Sequence, residues 1–484
     1  MSSRVLLLVL LFALSAQAAD RPNILFIYTD DQGYGDASCL NPEAKFKTPN
    51  IDRLASEGMI FTDGHSSDTV CTPSRYGLLT GRYSWRTTLK RGVFGAEKPC
   101  LIADGRTTVP SLLRDNGYDT AMVGKWHLGM DFPNIWGDRD WSKPTIDMPL
   151  DKGFDYFWGI PASMNYGVLA WFDGRHAAVP PTLYTRKKKN KMAFSDYRIM
   201  PPYEAEPEGK KDLEVAPDFI DTDCLQRFTD KSIEYIGNHA KSARDGKPFF
   251  LYLPLTSPHK PVVPIDQFQG KSQAGAYGDF MVETDWHIGR VLKALDKAGL
   301  TKNTLVFFSS DNGAETTWKQ RLGAYKHSSS GIYKEGKRSI YEGGHRVPFI
   351  MRWPAGIKAG SIWNGHVCQT DMLATVADIV GASLPANAGE DSNSLLPMMK
   401  SPNDTHAHVP LIHHASSGRF AVRQGDWKLI MEQKKFKREL YNLSDDPSET
   451  KNVIADHPAI EQRLKLKITR IITGGRSTTG APAK

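Results

Sequence analysis

The stretch Asn23-Ile24-Leu25-Phe26-Ile27-Tyr28-Thr29-Asp30-Asp31 decides the fold, because it joins a continuous apolar run to two carboxylates. A short apolar run rich in β-forming residues is typical of a strand buried on both faces of a parallel sheet. Three later runs, at residues 120–123, 248–253 and 304–308, have the same form, and each leads into polar residues. Helical patterns separate the four runs. This alternation predicts an α/β fold around a central, mostly parallel sheet flanked by helices.

The organisation of the rest of the chain follows from its composition. The predicted helices between the strands cover residues 51–58, 109–116, 222–239 and 283–298. Between about 135 and 215, Pro, Trp, Tyr and Lys are frequent, which indicates long loops of the kind that carry substrate recognition. After 385, short segments at 419–422 and 427–430 predict a small C-terminal α+β subdomain with an antiparallel sheet. The predicted domains are a leader at 1–19, a catalytic domain at 20–385 and the C-terminal subdomain at 386–484.

Residues 1–19 have the pattern of a cleaved secretory signal peptide. Arg4 precedes an apolar run from Val5 to Leu14, and Ala16-Gln17-Ala18 is a small-residue cleavage site. That run is shorter than the roughly 20 residues that cross a bilayer, and no later stretch is long and apolar enough to do so. We therefore expect a secreted or periplasmic protein without a membrane span.

The charge balance does not indicate a nucleic-acid partner. The formal net charge is +7 over 484 residues, which is a mild excess. The one dense basic run is Arg186-Lys187-Lys188-Lys189. Two interpretations of it remain open, a solvated loop or a patch that steers anionic substrates towards the protein.

The chain has five cysteines, an odd number, so at least one thiol is unpaired in an exported protein. Cys71 is the candidate because it begins the segment Cys71-Thr72-Pro73-Ser74-Arg75, which leads into a helical pattern. One interpretation is a buried thiol that behaves as a small hydrophobic residue. The other is a nucleophile at a helix N-terminus, where backbone N–H groups and the helix dipole favour negative charge. The pairing of the other four cysteines cannot be deduced from their spacing.

Polar residues with complementary chemistry follow the four predicted strands. They are Asp30 and Asp31, Lys125 and His127, His259, and Asp311 and Asn312. In open α/β sheets, ligands bind beyond the carboxyl ends of the strands, so these side chains are expected in one crevice. The aspartates and the asparagine offer only oxygen ligands, which suits Ca²⁺ or Mg²⁺ and disfavours zinc. A cation with lysines and histidines around a nucleophile indicates transfer of a sulfuryl or phosphoryl group.

The segment Cys71-Thr72-Pro73-Ser74-Arg75…Leu79-Thr80-Gly81 resembles the signature of the type I, formylglycine-dependent sulfatases. Four further motifs of that family occur in the family's order: Asp30-Asp31-Gln32-Gly33, Gly124-Lys125-Trp126-His127, Ser310-Asp311-Asn312-Gly313 and Lys337…Glu342-Gly343-Gly344-His345-Arg346-Val347-Pro348. Trp427-Lys428-Leu429 and Glu439-Leu440-Tyr441-Asn442-Leu443 are similar to the family's C-terminal subdomain. The resemblance covers nearly the whole chain after the leader and implies an alkaline-phosphatase-like sandwich.

The resemblance also implies a mechanism with a covalent sulfo-enzyme intermediate. A maturation enzyme, such as a formylglycine-generating enzyme, would oxidise Cys71 to formylglycine. One hydroxyl of the hydrated aldehyde, a gem-diol, would attack sulfur, and loss of the proton of the other hydroxyl would expel sulfate. The implied ligands of Ca²⁺, or of Mg²⁺, are Asp30, Asp31, residue 71, Asp311 and Asn312.

The same resemblance assigns roles to the basic residues. Arg75 would hold the aldehyde and the carboxylates that bind the metal. Lys125 and Lys337 would neutralise sulfate oxygens in the transition state. His127 would act as the base and His259 as the acid at the leaving oxygen. Lys334 competes with Lys337 for its role, and the spacing to Glu342-Gly343-Gly344 favours Lys337.

Two other functions are compatible with these residues. One is a phosphomonoester or phosphonate ester hydrolase of the same superfamily, although zinc phosphatases use more histidine ligands and a Ser or Thr nucleophile. The other is a carbohydrate-binding relative that is catalytically inactive. For a sulfatase, the expected substrate is a sulfated sugar or polysaccharide, with galactose or N-acetylgalactosamine 6-sulfate as the specific candidates. Aromatic residues between Phe157 and Phe172 either stack on sugar rings or belong to the core.

Overall fold

The computed structural model describes residues 21–186, 203–403, 406 and 408–479. In that part of the chain the strands are β1 (Asn23–Asp30), β2 (Met59–His65), β3 (Asp119–Lys125), β4 (Tyr156–Ile160), β5 (Val168–Leu169), β6 (Phe172–Asp173), β7 (His176–Ala177), β8 (Leu183–Thr185), β9 (Leu213–Val215), β10 (Phe249–Pro258), β11 (Thr304–Ser310), β12 (Phe349–Arg352), β13 (Ser361–Cys368), β14 (Leu411–His414), β15 (Phe420–Gln424), β16 (Trp427–Ile430) and β17 (Glu439–Asn442). The α-helices are α1 (Pro49–Glu57), α2 (Cys71–Thr80), α3 (Val109–Asp115), α4 (Cys224–Arg244), α5 (Gly275–Lys297), α6 (Trp318–Tyr325), α7 (Met372–Val380), α8 (Leu396–Lys400) and α9 (Pro458–Thr473).

One large sheet organises the fold. Its strand order is β13-β2-β12-β11-β1-β10-β3-β4-β6-β7, and the central strands from β11 to β4 run parallel to one another. β12 pairs antiparallel with both β11 and β2, while β13 pairs parallel with β2. Strand β1 lies in the middle, and all eight of its residues are buried. This sheet confirms the predicted α/β fold with a mostly parallel sheet. The apolar run of β1 was a reliable sign of it, because a strand that is covered on both faces must be largely apolar.

Amphipathic helices flank this sheet. Helices α4 and α5 pack against each other and against β10, and α1 packs against α5. Helices α2, α3 and α7 form a second group in mutual contact. Each of the four predicted helices is present, with ends that differ by a few residues.

A smaller antiparallel sheet, β14-β15-β16-β17, lies near the C-terminus, and α9 packs on β15 and β16. Its core contains Leu411, Val422, Leu429, Leu464 and Ile468. The predicted small α+β unit with an antiparallel sheet is thus confirmed as part of the fold. The predicted boundary at residue 385 lies between β13 and β14 and stays a prediction.

The region between 135 and 215 differs from the prediction of long loops. It contributes β4, which extends the large sheet in parallel, and a small sheet of β5, β9 and β8. The strands have two to five residues, too few to produce a clear periodicity in the sequence. Phe157, Trp158, Trp171 and Phe172 are buried in the core, so the sugar-stacking interpretation is wrong for these four rings.

Two regions singled out in the sequence lie outside the described residues. They are the leader at 1–19 and the lysines at 187–189 of the basic run. Arg186, the first residue of that run, forms ion pairs with Glu208 and Asp212. All five cysteines are described and none is in a disulfide. None of the described helices combines the length and hydrophobicity that a bilayer crossing requires.

Candidate active site

Cys71 is the first residue of helix α2, and the backbone before it is extended. Pro73 is tolerated because the first turn of a helix has no intrahelical partners for its N–H groups. Helix α2 is buried on all sides and ends at Gly81, whose φ of 62° is left-handed. Burial raises the pKa of the Cys71 thiol, and Lys125 and Lys337 only partly oppose that shift. The thiol at this position is therefore protonated and a poor nucleophile as it stands.

The acidic residues meet at the ends of two neighbouring strands, as the sheet order requires. Asp30 and Asp31 come from the end of β1, and Asp311 and Asn312 follow β11. The backbone N–H of Asp31 donates to Asp311 Oδ1 at 3.0 Å, and Asn312 Nδ2 donates to Asp31 Oδ1 at 2.8 Å. Asp30 Oδ1 is 3.5 Å from the Cys71 sulfur. Asp31 has a φ of 69°, a conformation that costs energy for a non-glycine residue and often occurs at functional sites.

These residues fit a hard cation. Ligand atoms of Asp30, Asp31, Cys71 and His259 all lie within 4.8 Å of one another. Asn312 Oδ1 is buried and has no hydrogen-bond partner, although its amide nitrogen is bonded. Burial and the nearby Asp30 raise the pKa of Asp311, since two carboxylates repel each other in a site that excludes water. A divalent cation would relieve that repulsion and use the free amide oxygen.

Basic side chains surround the carboxylates. Arg75 is fully buried, and its Nη2 donates to Asp311 Oδ2 at 2.8 Å while its Nη1 donates to the carbonyl of Lys125 at 3.2 Å. Lys125 Nζ is paired with Asp30 and donates to Ser163 Oγ at 2.9 Å. Lys337 Nζ donates to the two oxygens of Asp31 at 2.6 and 2.7 Å and lies 3.5 Å from the Cys71 sulfur.

Of the two candidate lysines, only Lys337 is in this site. Burial disfavours a charge on Lys337, but the negative groups around it, with Asp31 foremost, together outweigh that effect, so the pKa is well above its ordinary value. Lys334 Nζ instead donates to the carbonyl of Glu449 at 3.0 Å and lies 3.8 Å from the centre of the Tyr341 ring. The Lys334 ammonium therefore contributes to packing against the C-terminal unit.

Both histidines line the cleft, but they differ in their hydrogen bonding. His127 is buried, has a φ of 60°, and neither ring nitrogen has a hydrogen-bond partner. His259 Nδ1 donates to the carbonyl of Lys260 at 2.6 Å, which leaves its Nε2 3.7 Å from Asp31 Oδ2. Burial, followed by nearby cations, lowers the pKa of His127 well below its ordinary value, and burial lowers that of His259 to about 3. Both rings are neutral here. A neutral ring suits the base expected of His127, whereas an acid role for His259 requires it to gain a proton when an anion binds nearby.

A cleft of about 390 Å³ opens from Cys71, His127, His259 and Lys337 to the surface. All predicted site residues thus lie in or around one crevice. The sequence analysis missed other residues there, including Ser163, Arg338 and Ser416. Tyr166, which also lines the cleft, belongs to the aromatic stretch considered for sugar stacking, and that interpretation stays a prediction for this ring. Ser163 follows the carboxyl end of β4, a strand too short to be predicted from the sequence. Ser416 gave no signal, because it comes from the C-terminal unit.

The Glu342-Gly343-Gly344 motif has a structural role beside the site. A Cβ atom on Gly313 would lie 1.8 Å from the carbonyl oxygen of Gly343, so the Asp311–Gly313 turn packs directly on this backbone. Glu342 belongs to a buried group with His65, His345 and His413 whose ligand atoms are close enough to hold a metal. Lys428 Nζ already occupies that region, 2.9 Å from Glu342 and 3.2 Å from His345. This second group is therefore a salt-bridged polar network between the large sheet and the C-terminal unit.

Comparisons with known proteins agree with this geometry. The Sulfatase family profile matches residues 22–382, and the profile of the N-sulphoglucosamine sulphohydrolase C-terminal region matches residues 331–473. An N-acetylgalactosamine-6-O-sulfatase of Bacteroides thetaiotaomicron is 32% identical over 93% of each chain, and human steryl-sulfatase is 32% identical over 86% of this chain and 76% of its own. A structure from work on glycosaminoglycan metabolism by B. thetaiotaomicron has a TM-score of 0.81 and 31% identity, over 94% of this chain and 100% of that one. Because family profile, sequence and alkaline-phosphatase-like fold agree, the chain belongs to the sulfatase family and is a sulfuric ester hydrolase.

Proposed function

We propose that this sulfatase removes the 6-sulfate of galactose or N-acetylgalactosamine in sulfated carbohydrates, with formylglycine derived from Cys71 as its nucleophile. The observation that carries the proposal is the position of Cys71. Its sulfur lies 3.5 Å from both Asp30 and Lys337, between the carboxylates and the basic groups of the cleft. A nucleophile at this point faces a bound anion and a cation together.

The protonation state of the thiol supports conversion to formylglycine. Burial keeps the Cys71 thiol protonated, so direct attack by a thiolate is disfavoured. A hydrated aldehyde offers two hydroxyls at the same carbon. One would attack sulfur and release the sugar alcohol, and removal of the proton from the other would expel sulfate and regenerate the aldehyde. The net reaction consumes one water for each ester, and His127 is the proposed base.

The family implies a metal ion, and we propose Ca²⁺, with Mg²⁺ as the alternative. Asp30, Asp31, Asp311, Asn312 and residue 71 would hold it, since their donors suit a hard cation. The ion would supply Lewis-acid polarisation of the sulfate and of the nucleophile. Lys125 and Lys337 pair with Asp30 and Asp31 in the structure. If a cation bound those carboxylates, both ammonium groups would be available to sulfate oxygens.

A sugar substrate is favoured over a sterol by the polarity of the cleft. The relative that aligns over 93% of both chains is a sulfatase of N-acetylgalactosamine 6-sulfate. Steryl-sulfatase is equally identical but aligns over less of either chain. The cleft beyond Cys71 is lined mainly by charged and polar groups, among them Asn165, Thr316 and Ser416. Such groups hydrogen-bond to sugar hydroxyls, whereas a sterol requires a largely apolar wall.

The test is sulfate release from a panel of substrates by protein co-produced with a formylglycine-generating enzyme. The panel contains the 6-sulfates of galactose, N-acetylgalactosamine and N-acetylglucosamine, N-acetylgalactosamine 4-sulfate, a steryl sulfate and a phosphate monoester. Cys71→Ala is the blank. We expect release from a galactose-type 6-sulfate in the wild type and none in the blank. Preference for another sulfate would contradict the proposed substrate. Preference for the phosphate ester would favour the phosphatase alternative. No turnover despite conversion of Cys71 would favour the inactive relative.

We also propose export with removal of residues 1–19, which rests on the sequence of that leader. Export would bring the enzyme to polysaccharides outside the cytoplasm. N-terminal sequencing of the mature protein tests this, and we expect it to begin near Ala19 or Asp20. A mature chain that retains Arg4 would contradict it.

A further inference from the structure

The charged residues along the cleft are not balanced. Asp31 is paired with Lys337, and Glu315 accepts hydrogen bonds from Thr317 and lies 3.5 Å from Arg321. Two further cations, Lys260 and Arg338, also line the cleft. Within residues 21–186, 203–403, 406 and 408–479, neither the Lys260 ammonium nor the Arg338 guanidinium has a carboxylate or a hydrogen-bond acceptor as partner. The cleft therefore presents two cations that no described group of the protein neutralises.

The backbone holds Arg338 firmly beside the reacting centre. Its φ of 77° lies in the left-handed region, where a side chain is strained. The Arg338 N–H donates to the carbonyl of Thr69 at 2.9 Å, and the N–H of Lys337 donates to the carbonyl of Ala314 at 2.9 Å. Strained backbone persists where the surrounding structure fixes it, and it is concentrated at ligand-binding sites. The backbone of Arg338, the residue after Lys337, is therefore held in a fixed position beside the site.

Each of the two cations adjoins a different residue of the site. Arg338 follows Lys337, and Lys260 follows His259 and accepts the His259 ring N–H on its carbonyl. Tyr166 lines the same cleft as Arg338, and its ring centre is 5.3 Å from that of His127. Burial raises the pKa of Tyr166, and the charges of Lys337 and Arg338 oppose that shift. The unneutralised charge thus lies next to the place where the sugar of a bound ester must extend.

We propose that Arg338 and Lys260 form a second anion subsite, which binds a carboxylate or a second sulfate on the sugar chain next to the ester that is cleaved. The inference deepens the proposed function, on which it rests, by defining the substrate class as a polyanionic saccharide. A guanidinium binds planar carboxylates and sulfates through paired hydrogen bonds, and these charge-assisted bonds are stronger than neutral ones. Lys125 and Lys337 bind the reacting sulfate, and the subsite selects substrates with an additional negative charge.

The test compares three substrates that share the same reactive sugar 6-sulfate. The neighbouring sugar is neutral in the first, carries a carboxylate in the second and carries a sulfate in the third. The selectivity ratio is kcat/KM for a doubly anionic substrate divided by that for the neutral neighbour. We measure it for the wild type, Arg338→Gln, Lys260→Gln and Arg338→Lys. Arg114→Gln is the matched control, since Arg114 is exposed and does not line the cleft.

We expect the wild type to prefer a doubly anionic substrate and Arg338→Gln to lower the ratio by about tenfold, mainly through KM. Lys260→Gln should lower it by less, Arg338→Lys should restore part of it, and Arg114→Gln should keep the wild-type ratio. Whichever second anion gives the higher ratio identifies the group that the subsite binds. A wild type without preference, or an Arg338→Gln variant with the wild-type ratio, would overturn the proposal. Both results require an active wild type, so they differ from failure of the proposed function, in which no sugar sulfate is cleaved.

Discussion

At the scale of single residues, the site is a balanced set of buried charges. Asp30, Asp31 and Asp311 are compensated by Arg75, Lys125 and Lys337, with pairs at hydrogen-bond distance. Charges buried in this way are costly unless each has a partner. The same pairs that stabilise the site occupy the carboxylates that a cation needs. Metal binding and release of the lysines towards substrate are therefore expected to occur together.

Metal removal should abolish activity and lower stability. A cation that binds only the folded protein stabilises it, by about 2.7 kcal/mol at a concentration one hundred times its Kd. We expect a chelator to lower the Tm and abolish sulfate release, and Ca²⁺ to restore both better than Zn²⁺. Asn312→Ala should reduce the shift in Tm that Ca²⁺ causes, because it deletes the free amide oxygen. A Tm that is insensitive to chelator and to Ca²⁺ would show that these residues do not hold a metal.

The two lysines of the Lys334–Lys337 segment should respond differently to truncation. Lys337→Ala removes an ammonium 3.5 Å from the Cys71 sulfur, and loss of one group that stabilises a transition state typically costs 10²- to 10³-fold in kcat. Lys334→Ala removes a contact with Glu449 and Tyr341 and should change kcat by less than about tenfold. Steady-state kinetics on both variants decides the point. A larger loss in Lys334→Ala would reverse the assignment.

At the scale of elements, the position of the site follows from strand order. β1 and β11 are adjacent and parallel, so the residues after each strand meet without help from distant loops. This is why the meeting of these acidic residues was predictable from local sequence. Strand β16 is different: it brings Lys428 into a buried network with Glu342 and Glu449, 2.9 and 2.8 Å away. Glu342 is also paired with Arg346 Nη2 at 2.8 Å, whereas Lys428 is the only cation paired with Glu449 in the described part of the chain.

The burial of Glu449 in this network makes the stability of the protein depend on pH. Burial, only partly opposed by Lys428, raises the pKa of Glu449 from 4.5 to about 7. A raised pKa means that the folded state binds the proton more tightly, so this stabilising contribution is present below about pH 4.5 and lost as the pH rises through about 7. We expect Glu449→Gln to match the wild type near pH 5 and to become the more stable protein by about 3 kcal/mol near pH 8.

Denaturation curves of wild type and Glu449→Gln across that pH range provide the measurement. Glu439→Gln is a control, since Glu439 also accepts partly buried hydrogen bonds but has a lowered pKa. Burial raises the pKa of Glu439, and the hydrogen bonds from Tyr441 and Arg419 help to lower it by more. The stability of this control variant relative to the wild type should not rise between pH 5 and 8. A pH-independent difference between the wild type and Glu449→Gln would contradict the shifted pKa.

At the scale of the whole molecule, the C-terminal unit completes the site. His414 Nδ1 lies 2.6 Å from Asp68 Oδ2, and the backbone N–H of Ser416 donates to Thr69 Oγ1 at 3.1 Å. Asp68 and Thr69 immediately precede the turn into α2. These contacts join residues separated by about 346 positions. A contact between residues so far apart leaves no local sequence pattern. The sequence therefore predicted the small antiparallel unit but not that one of its residues lines the cleft.

The difference between local patterns and long-range contacts also explains which strands and site residues were predictable. Apolar runs such as β1 and β11 are visible in the sequence because they are buried throughout. β2 and β13 mix polar and apolar residues at one side of the sheet and have no comparable pattern. Ser163 and Arg338 reach the site through the packing of connections whose course is set only by the complete fold. Local sequence therefore locates the chemistry of the centre, while the cleft around it depends on tertiary structure.

Removal of the C-terminal unit should prevent formation of an active enzyme. A chain that ends at residue 385 leaves Asp63, Asp68 and Glu342 without Arg423, His414 and Lys428. Breaking buried pairs costs about 3–5 kcal/mol each, a large part of the stability of a typical domain. We expect the truncated chain to be insoluble or unfolded by circular dichroism. A soluble chain with a cooperative transition and a wild-type Tm would show that the two units fold independently.

The central claim is that turnover of a sugar sulfate depends on formylglycine at position 71. Its most direct test is kcat on the best substrate of the panel, measured in preparations that differ only in the converted fraction of Cys71. Mass spectrometry of the peptide that carries residue 71 gives that fraction. The account predicts a straight line through the origin, with Cys71→Ala at zero. Activity that is independent of the converted fraction, or full activity in unconverted protein, would contradict it.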